Sequence, residues 1–385
     1  MKRRLADCLD EVAQGVGADW HKYRVLGATR DGVAPAKEPV GKSPARYKHV
    51  VPGTIFYNPM RIMIGSIAML DDGDEPGITS PDYVVLRARE GILHPRWFYY
   101  WLRSRSGEEL IATLARGAVR ERMMFKRLAT GEIELPAWEH QLRVAEQLTE
   151  VAKARTAVQA QLAAAQALPA ASLRAVFNSP NVQSWLRRCL GDVCELLPSK
   201  SICLTGDAEV RAITTASLTE TGFDPAGIKT GRMWSSDVPE CTVRAGEILI
   251  ARSNTPELVG RVALFNGESP GAVASDLTIR IWPGDEVHGD FLTRYLSFLY
   301  LSGYWRERAG GSSGTMKKIT RSQILAEKVP VPPFDEQECV AARLAAELAE
   351  VTRLRESLSG KLETLDRLPA ALLAQAFQGD SSHEG

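Results

Sequence analysis

The run Asp71-Asp72-Gly73-Asp74-Glu75 sets four carboxylates within five residues. Carboxylates this dense could hold a hard metal ion or share acid–base work. The glycine-rich surroundings favour a solvated turn instead, and no matching carboxylate pair recurs further along the chain. The six histidines, at 21, 49, 94, 140, 288 and 383, are scattered, and no His-Glu-x-x-His is present. The six cysteines (Cys8, Cys189, Cys194, Cys203, Cys241, Cys339) form no Cys-x-x-Cys pair. Scattered thiols of this kind read as reduced and intracellular rather than as zinc or redox centres. Neither a Gly-x-x-x-x-Gly-Lys-Ser/Thr cradle nor a Gly-x-Gly-x-x-Gly after a strand occurs; Gly15-Val16-Gly17 reads as a turn. There is no Gly-x-Ser-x-Gly nucleophile elbow. An amino-methyltransferase would need a second proline and an aromatic after Asn58-Pro59, where Met60 stands. The residues therefore favour binding and scaffolding over catalysis, with a divergent nuclease or methyltransferase as the least favoured reading.

The chemistry that remains is phosphate and base-edge contact. From Trp20 to Lys48 the chain carries Lys22, Arg24, Arg30, Lys37, Lys42 and Arg46 with few acids against them. A loop of this composition suits phosphate contact and base readout; a plain solvated loop is the alternative. Arg61 follows, then the basic segment Arg116–Arg122. Later, Arg252-Ser253-Asn254-Thr255 comes straight after an apolar run, and Gly310-Gly311-Ser312-Ser313-Gly314-Thr315-Met316 leads into Lys317-Lys318. A Gly/Ser loop ending in two lysines brings backbone amides and cations to a phosphate. The candidate nucleic-acid contacts are Lys22, Arg24, Lys42 and Arg61, then Arg252, Asn254, Lys317 and Lys318.

These two sets of residues sit in a chain that repeats itself. Leu168-Pro169-Ala170-Ala171 returns as Leu368-Pro369-Ala370-Ala371, and Leu135-Pro136-Ala137-Trp138 with Gln141 returns as Val331-Pro332-Pro333-Phe334 with Gln337. Gly53-Thr54-Ile55-Phe56 answers Gly246-Glu247-Ile248-Leu249, Ile64-Gly65 answers Val259-Gly260, and Arg4-Leu5-Ala6-Asp7 answers Cys189-Leu190-Gly191-Asp192. Five collinear matches, with an offset that drifts slowly as loop insertions would make it, point to a duplication. Each copy opens with a mixed part, 1–138 and 185–334. Short β-type runs there lie between Gly, Pro, Asn and Asp punctuation, and an aromatic helix-like stretch follows, Trp97–Trp101 or Phe291–Tyr300. The first mixed part holds 21 basic and 17 acidic residues, a net charge of +4; the second holds 17 of each.

The second part of each copy, 139–184 and 335–378, is rich in Ala, Leu, Glu, Gln and Arg and reads as helix, leaving 379–385 as a flexible tail. Val144, Leu148, Val151, Arg155, Val158, Leu162 and Ala165 alternate four and three apart; Leu344, Leu348, Val351, Arg355, Leu358, Leu362 and Leu365 do the same. That is a coiled-coil seam, with Leu148, Val151, Val158, Leu162, Leu348, Val351, Leu358 and Leu362 as its apolar contacts. Arg155 and Arg355 interrupt both rows at the same step, either fixing register or letting the stem snorkel to water. Each helix is expected to run ~60 Å, to pack antiparallel to its twin, and to kink or break at Pro169 and Pro369. Packing of each helix on its own domain is the other possibility. The fold expected is α+β: two tandem mixed α/β domains separated by two long helices in an antiparallel coiled coil, with a pseudo-two-fold repeat.

The 385 residues suffice for two or three domains, each with a core. The balance of 47 Lys+Arg against 47 Asp+Glu argues against holding DNA by bulk positive charge alone. No apolar run is long enough to span a bilayer, and a cytoplasmic protein is expected.

The chain resembles the specificity subunits of type I restriction–modification systems over essentially all its length. In the second copy the likeness rests on Arg244-Ala245-Gly246-Glu247-Ile248-Leu249-Ile250-Ala251-Arg252-Ser253, on Val259-Gly260, on Val329-Pro330-Val331-Pro332-Pro333-Phe334-Asp335-Glu336-Gln337 and on Ala376-Phe377-Gln378-Gly379. In the first it rests on Asn58-Pro59-Met60-Arg61, Gly77-Ile78-Thr79-Ser80-Pro81-Asp82-Tyr83 and Leu135-Pro136 with Gln141; there Ala137 replaces the second proline and His140 the glutamate. The resemblance implies two target-recognition domains, each reading half of a split sequence in double-stranded DNA, with the helices setting the unread gap. It implies a non-catalytic subunit that recruits two methyltransferase subunits and can take two restriction/translocase subunits. S-adenosylmethionine, ATP and Mg²⁺ would then belong to those partners, with no cofactor or metal in this chain. A coiled-coil protein–protein adaptor that reads no DNA is the runner-up.

Overall fold

The computed structural model describes residues 1–37, 39–115, 122–313 and 315–378, without the side chains of 312, 313 and 376–378. Glu38, most of the basic segment at 116–121, Gly314 and the expected tail 379–385 lie outside the described residues. The chain divides into two compact units: Met1–Ala160 with Gly360–Gly385, and Gln161–Ser359. Each unit contains one mixed domain and a part of both long helices.

In the first unit the apolar runs pair into an antiparallel sheet of order Leu9–Glu11, Val84–Ala88, Thr54–Tyr57, Ile67–Met69. A second sheet has the order Gly32–Pro35, Arg24–Thr29, Gly77–Thr79, Lys48–Val50, with the middle pair parallel. A ribbon of Lys2–Arg4 against Glu132–Glu134 ties the start of the domain to its end. The second unit repeats the plan. Its main sheet runs Cys194–Leu197, Thr278–Pro283, Glu247–Ala251, Val262–Phe265, and its tie is Arg187–Cys189 against Lys328–Pro330. The ties agree to the bond: the amide of Leu5 donates to the Gly131 carbonyl at 2.9 Å, and that of Leu190 to Glu327 at 2.8 Å. The glycines of the repeated Ile64-Gly65 and Val259-Gly260 are needed for their backbone, with φ of 81° and 83°. At Gly260 a Cβ would also lie 2.5 Å from the buried Trp305 ring.

The crowded aromatics form the buried face of the helices Pro95–Leu102 and Gly289–Leu301. In the first unit Trp97, Phe98 and Leu102 share one core with Ile55, Leu86, Val144, Leu148 and Leu373. In the second, Phe291, Leu292 and Leu296 share a core with Ile248, Leu173, Phe177, Ala341 and Leu344. Both expectations for the helices are thus realised at once: each long helix packs on a mixed domain and on its twin.

The long helices span Trp138–Phe177 and Phe334–Gln378. Within the first unit they run antiparallel, since Leu148 shares its core with Leu373 while Arg155 reaches back to Asp366. Leu148 and Leu358 are buried. Val151, Val158, Leu162, Leu348, Val351 and Leu362 are half-buried, and positions flanking them on the outer faces are exposed. The expected break at the prolines does not occur; both helices continue through Pro169 and Pro369. A proline costs one backbone bond and a steric clash. Burial of Leu173, Val176 and Phe177 behind Pro169, and of Leu373 behind Pro369, holds the last turns in place. Among the described residues no helix is long and apolar enough to cross a membrane.

Candidate nucleic-acid interface

In the second unit the strand Glu247–Ala251 delivers the chain to Arg252, whose amide donates to the Leu277 carbonyl at 2.8 Å. Ser253 and Asn254 then pair with Lys318 and Lys317, and Gly310–Ser313 closes a three-stranded ribbon on the other side. Arg252, Asn254, Lys317 and Lys318 therefore sit on one small ribbon. Their roles differ. The Arg252 guanidinium is tied to the Asp276 carbonyl at 3.1 Å, and the Asn254 Oδ1 accepts the Thr255 amide at 2.9 Å. Lys318 is exposed and Lys317 half-buried, as neighbours on a strand facing opposite sides should be. Burial, aided by the guanidiniums of Arg252 and Arg280, pushes Arg321 below its usual pKa. Positive charge is thus concentrated at the foot of this ribbon.

The first unit has a related arrangement around Arg61. Asn58 Oδ1 accepts the Met60 amide at 2.9 Å, which turns the chain and leaves Arg61 exposed. The amide of Met123 donates to the Pro59 carbonyl at 2.9 Å, as that of Ile319 does to Arg252. Lys22, Arg24 and Lys42 are not gathered there. Lys22 is exposed and paired with Asp19 at 2.8 Å; Arg24 donates to the Glu75 carbonyl at 3.0 Å. Arg24 opens a strand whose far end is the one beside the Arg61 loop: Ser66 Oγ donates to the Ala28 carbonyl at 2.7 Å. Lys42 is exposed beside Gly41, whose amide donates to the Tyr47 hydroxyl at 3.0 Å.

The acidic run is a turn. The Asp71 amide donates to Asp74 at 2.9 Å, and the Asp71 carboxylate pairs with Arg96. Burial, against the pull of Arg96, raises the Asp71 pKa. Among the described residues no group of three His, Cys, Asp or Glu is placed to hold a metal ion.

Two features escaped the sequence reading. Met60, Met63, Ile64 and Met124 are exposed, and Met60 touches Arg122 through its sulfur at 3.6 Å. Apolar residues beside Arg61 were the available signal. At the start of each long helix a glutamine is buried: Gln141 Oε1 accepts the His94 amide at 2.9 Å, and Gln337 Oε1 accepts the His288 amide at 2.9 Å. Their recurrence at one step of the repeat was visible, but their partners were not.

The molecule is thus a tandem protein, in which two related α/β domains each present a polar or basic loop at the end of a central strand and each feed a long helix. The family model described as the type I restriction modification DNA specificity domain matches residues 183–363. A solved chain from work on complex assembly and conformational transition of the type I R-M system is similar over 99% of this chain and 98% of its own, at 19% identity and a TM-score of 0.65. The HsdS subunit from Thermoanaerobacter tengcongensis is similar over 99% and 97%, at 21% identity and a TM-score of 0.54. The S subunit of a type I system from M. genitalium covers 98% and 95%, at 14% identity and a TM-score of 0.51. No curated protein matches the sequence at a significant level. Residues 183–363 thus match the type I restriction modification DNA specificity domain, and the chain as a whole shares the fold of the solved type I specificity subunits.

Proposed function

We propose that this chain reads a bipartite sequence in double-stranded DNA, one target-recognition domain per half-site. The observation that carries the reading is the duplication. Two domains of one plan each end a central strand in a polar or basic segment. It is an exposed loop holding Arg61 in one, and in the other the Arg252–Lys318 ribbon, where Arg252, Asn254 and Lys317 are half-buried. The two long helices act as the ruler for the unread gap and as the dock for two methyltransferase subunits. Restriction/translocase subunits join that complex in turn. The chain itself is non-catalytic and works in the cytoplasm; S-adenosylmethionine, ATP and Mg²⁺ are held by its partners. Base contacts fall to Arg61, Arg252 and Asn254, and phosphate contacts to Lys22, Arg24, Lys42, Lys317 and Lys318. The apolar seam from Leu148 to Leu362 holds the ruler together.

The test is to purify the chain with its methyltransferase and map contacted and methylated positions on random duplex DNA. Two contacted blocks separated by a fixed unread gap are expected; one continuous block defeats the reading. An adaptor that reads no DNA would leave the assembled complex without sequence-selective, salt-dependent DNA binding.

A further inference from the structure

The same polar device closes the start of both long helices. Gln141 Nε2 donates to the carbonyls of Ile92 at 3.1 Å and Pro136 at 3.0 Å, while its Oε1 accepts the His94 amide. Gln337 Nε2 donates to Glu286 at 2.9 Å and Pro332 at 2.8 Å, while its Oε1 accepts the His288 amide. The two side chains are 1% and 0% exposed. His94 and His288 are the residues that begin the aromatic helices Pro95–Leu102 and Gly289–Leu301. Each glutamine therefore stitches the first turn of a long helix to the first turn of the helix at the heart of its domain. A ring contact backs the stitch in each unit: His94 lies on Trp138 at 6.0 Å and His288 on Phe334 at 5.6 Å.

Only a primary amide fits this place, because it supplies two donors and an acceptor on one short stem. Every partner is a backbone atom, so the side chains around it are free to differ, as Ile92 and Glu286 do. The apolar contacts at the same junction, Val144 and Leu148 or Val340 and Leu344, supply adhesion. Such burial is non-directional and tolerates a change of angle. Hydrogen bonds that weaken steeply off line do not. Adhesion and angle are thus assigned to different residues.

We propose that Gln141 and Gln337, with the rings beside them, are positioning residues that fix the angle at which each long helix leaves its domain and thereby the length of the unread gap. This rests on the bipartite reading above. A gap is counted in steps of ~3.4 Å along the duplex, so modest play at the junction is enough to admit a neighbouring spacing.

The test uses the assembled methyltransferase complex carrying Gln141→Glu or Gln337→Glu, each of which removes two donors without changing size. Methylation is measured on duplexes that keep both half-sites and vary the gap base by base, alongside thermal unfolding. The parent should use one gap. Each variant should methylate at least one neighbouring gap tenfold or more above the parent's level there, with the half-site bases unchanged. An unchanged gap in a folded variant overturns the proposal, as does a change in the bases read. Should Gln141→Glu fail to assemble, Trp138→Leu keeps the amide bonds and loosens only the ring packing. It must then broaden the gap, and an unchanged gap overturns the proposal equally. A parent with no fixed gap defeats the bipartite reading itself, which is a separate outcome.

Discussion

The two domains solve one position of their main sheet in opposite ways. In the second, Glu247 and Arg280 form a buried ion pair with two bonds of 2.8 Å, and their side chains are 0% and 2% exposed. Arg280 donates further to the carbonyls of Pro198, Glu240 and Thr242 at 2.7, 2.6 and 2.9 Å. In the first domain the corresponding residues are Thr54 and Val85. The match is fixed by register, since Ile248 faces Ile281 where Ile55 faces Leu86. It is also fixed by local bonding: Glu247 Oε1 accepts the Arg244 amide at 3.0 Å, and Thr54 Oγ1 accepts the Val51 amide at 3.1 Å. A common strand frame thus needs no charge there. The second domain uses a guanidinium as a bracket for the carbonyl of Pro198 and for those of Glu240 and Thr242 at the end of the short helix Val238–Cys241.

That contrast predicts the largest effect. Glu247→Gln leaves a buried guanidinium without its counter-charge, and the second domain should lose ~3–5 kcal/mol. Chemical denaturation should then show the second domain unfolding well before the first. The double variant Glu247→Thr, Arg280→Val transplants the first domain's solution and should be less damaging than either single change, because no lone charge remains. A double variant as unstable as the sum of the singles would show that the brackets to the carbonyls, rather than the charge pair, hold the domain.

Binding should sharpen the comparison next. Arg61→Ala should cost ~1–3 kcal/mol and relax base choice at one position of one half-site. Lys318→Ala should weaken binding to every sequence alike and lower the salt slope by ~0.9 for each phosphate it no longer neutralises. Titrations at several salt concentrations, on matched and single-base-altered duplexes, separate the two. Equal relaxation of base choice by both variants would remove the distinction drawn between base-reading and phosphate-binding residues.

The first junction should respond to acid. Burial, reinforced by the charge of Arg96, lowers the pKa of His94 below its ordinary value. A histidine depressed in the folded state is protonated first in the unfolded one, so stability is full above the unfolded pKa of ~6.5 and falls as pH drops below it. Thermal unfolding of the chain from pH 8 to pH 5 should show the first unit losing stability through this window. His94→Gln should flatten the loss. A pH profile unaltered by that substitution would assign the loss elsewhere.

What the sequence disclosed about these contrasts follows from the range of the interactions. Local and periodic features were legible. The helical composition and its four-and-three alternation marked the pair of long helices, and the repeated Gly65 and Gly260 sit where φ is positive. The ribbon was partly legible, because Arg252 and Lys317-Lys318 stood out by type although their pairing did not. Glu247 and Arg280 were not legible as a pair, since strand register decides that Arg280 reaches Glu247. The glutamine stitches were seen only as a repeated letter, because backbone atoms 47 and 49 positions away complete them. Prolines 169 and 369 misled for the same reason: the local rule predicts a stop, and packing by Leu173, Phe177 and Leu373 outweighs it.

The smallest contrast lies in the seam itself. Arg155 Nε donates to Asp366 at 2.6 Å, so the arginine that interrupts the first row is answered by an acid from the other helix. The repeat places Gln166 where Asp366 stands, and among the described residues Arg355 has no ion-pair partner. Both members of the pair are partly exposed, at 39% and 48%, so its contribution should be ~0.2–1 kcal/mol and fall with salt. Asp366→Asn should lower stability by that amount, and Gln166→Asp should raise it by a similar one by giving Arg355 an acid to answer. Denaturation in low and high salt measures both. If Gln166→Asp gains nothing while Asp366→Asn loses, the two ends of the seam differ in geometry as well as in charge, and the repeat is less exact along the helices than its letters imply.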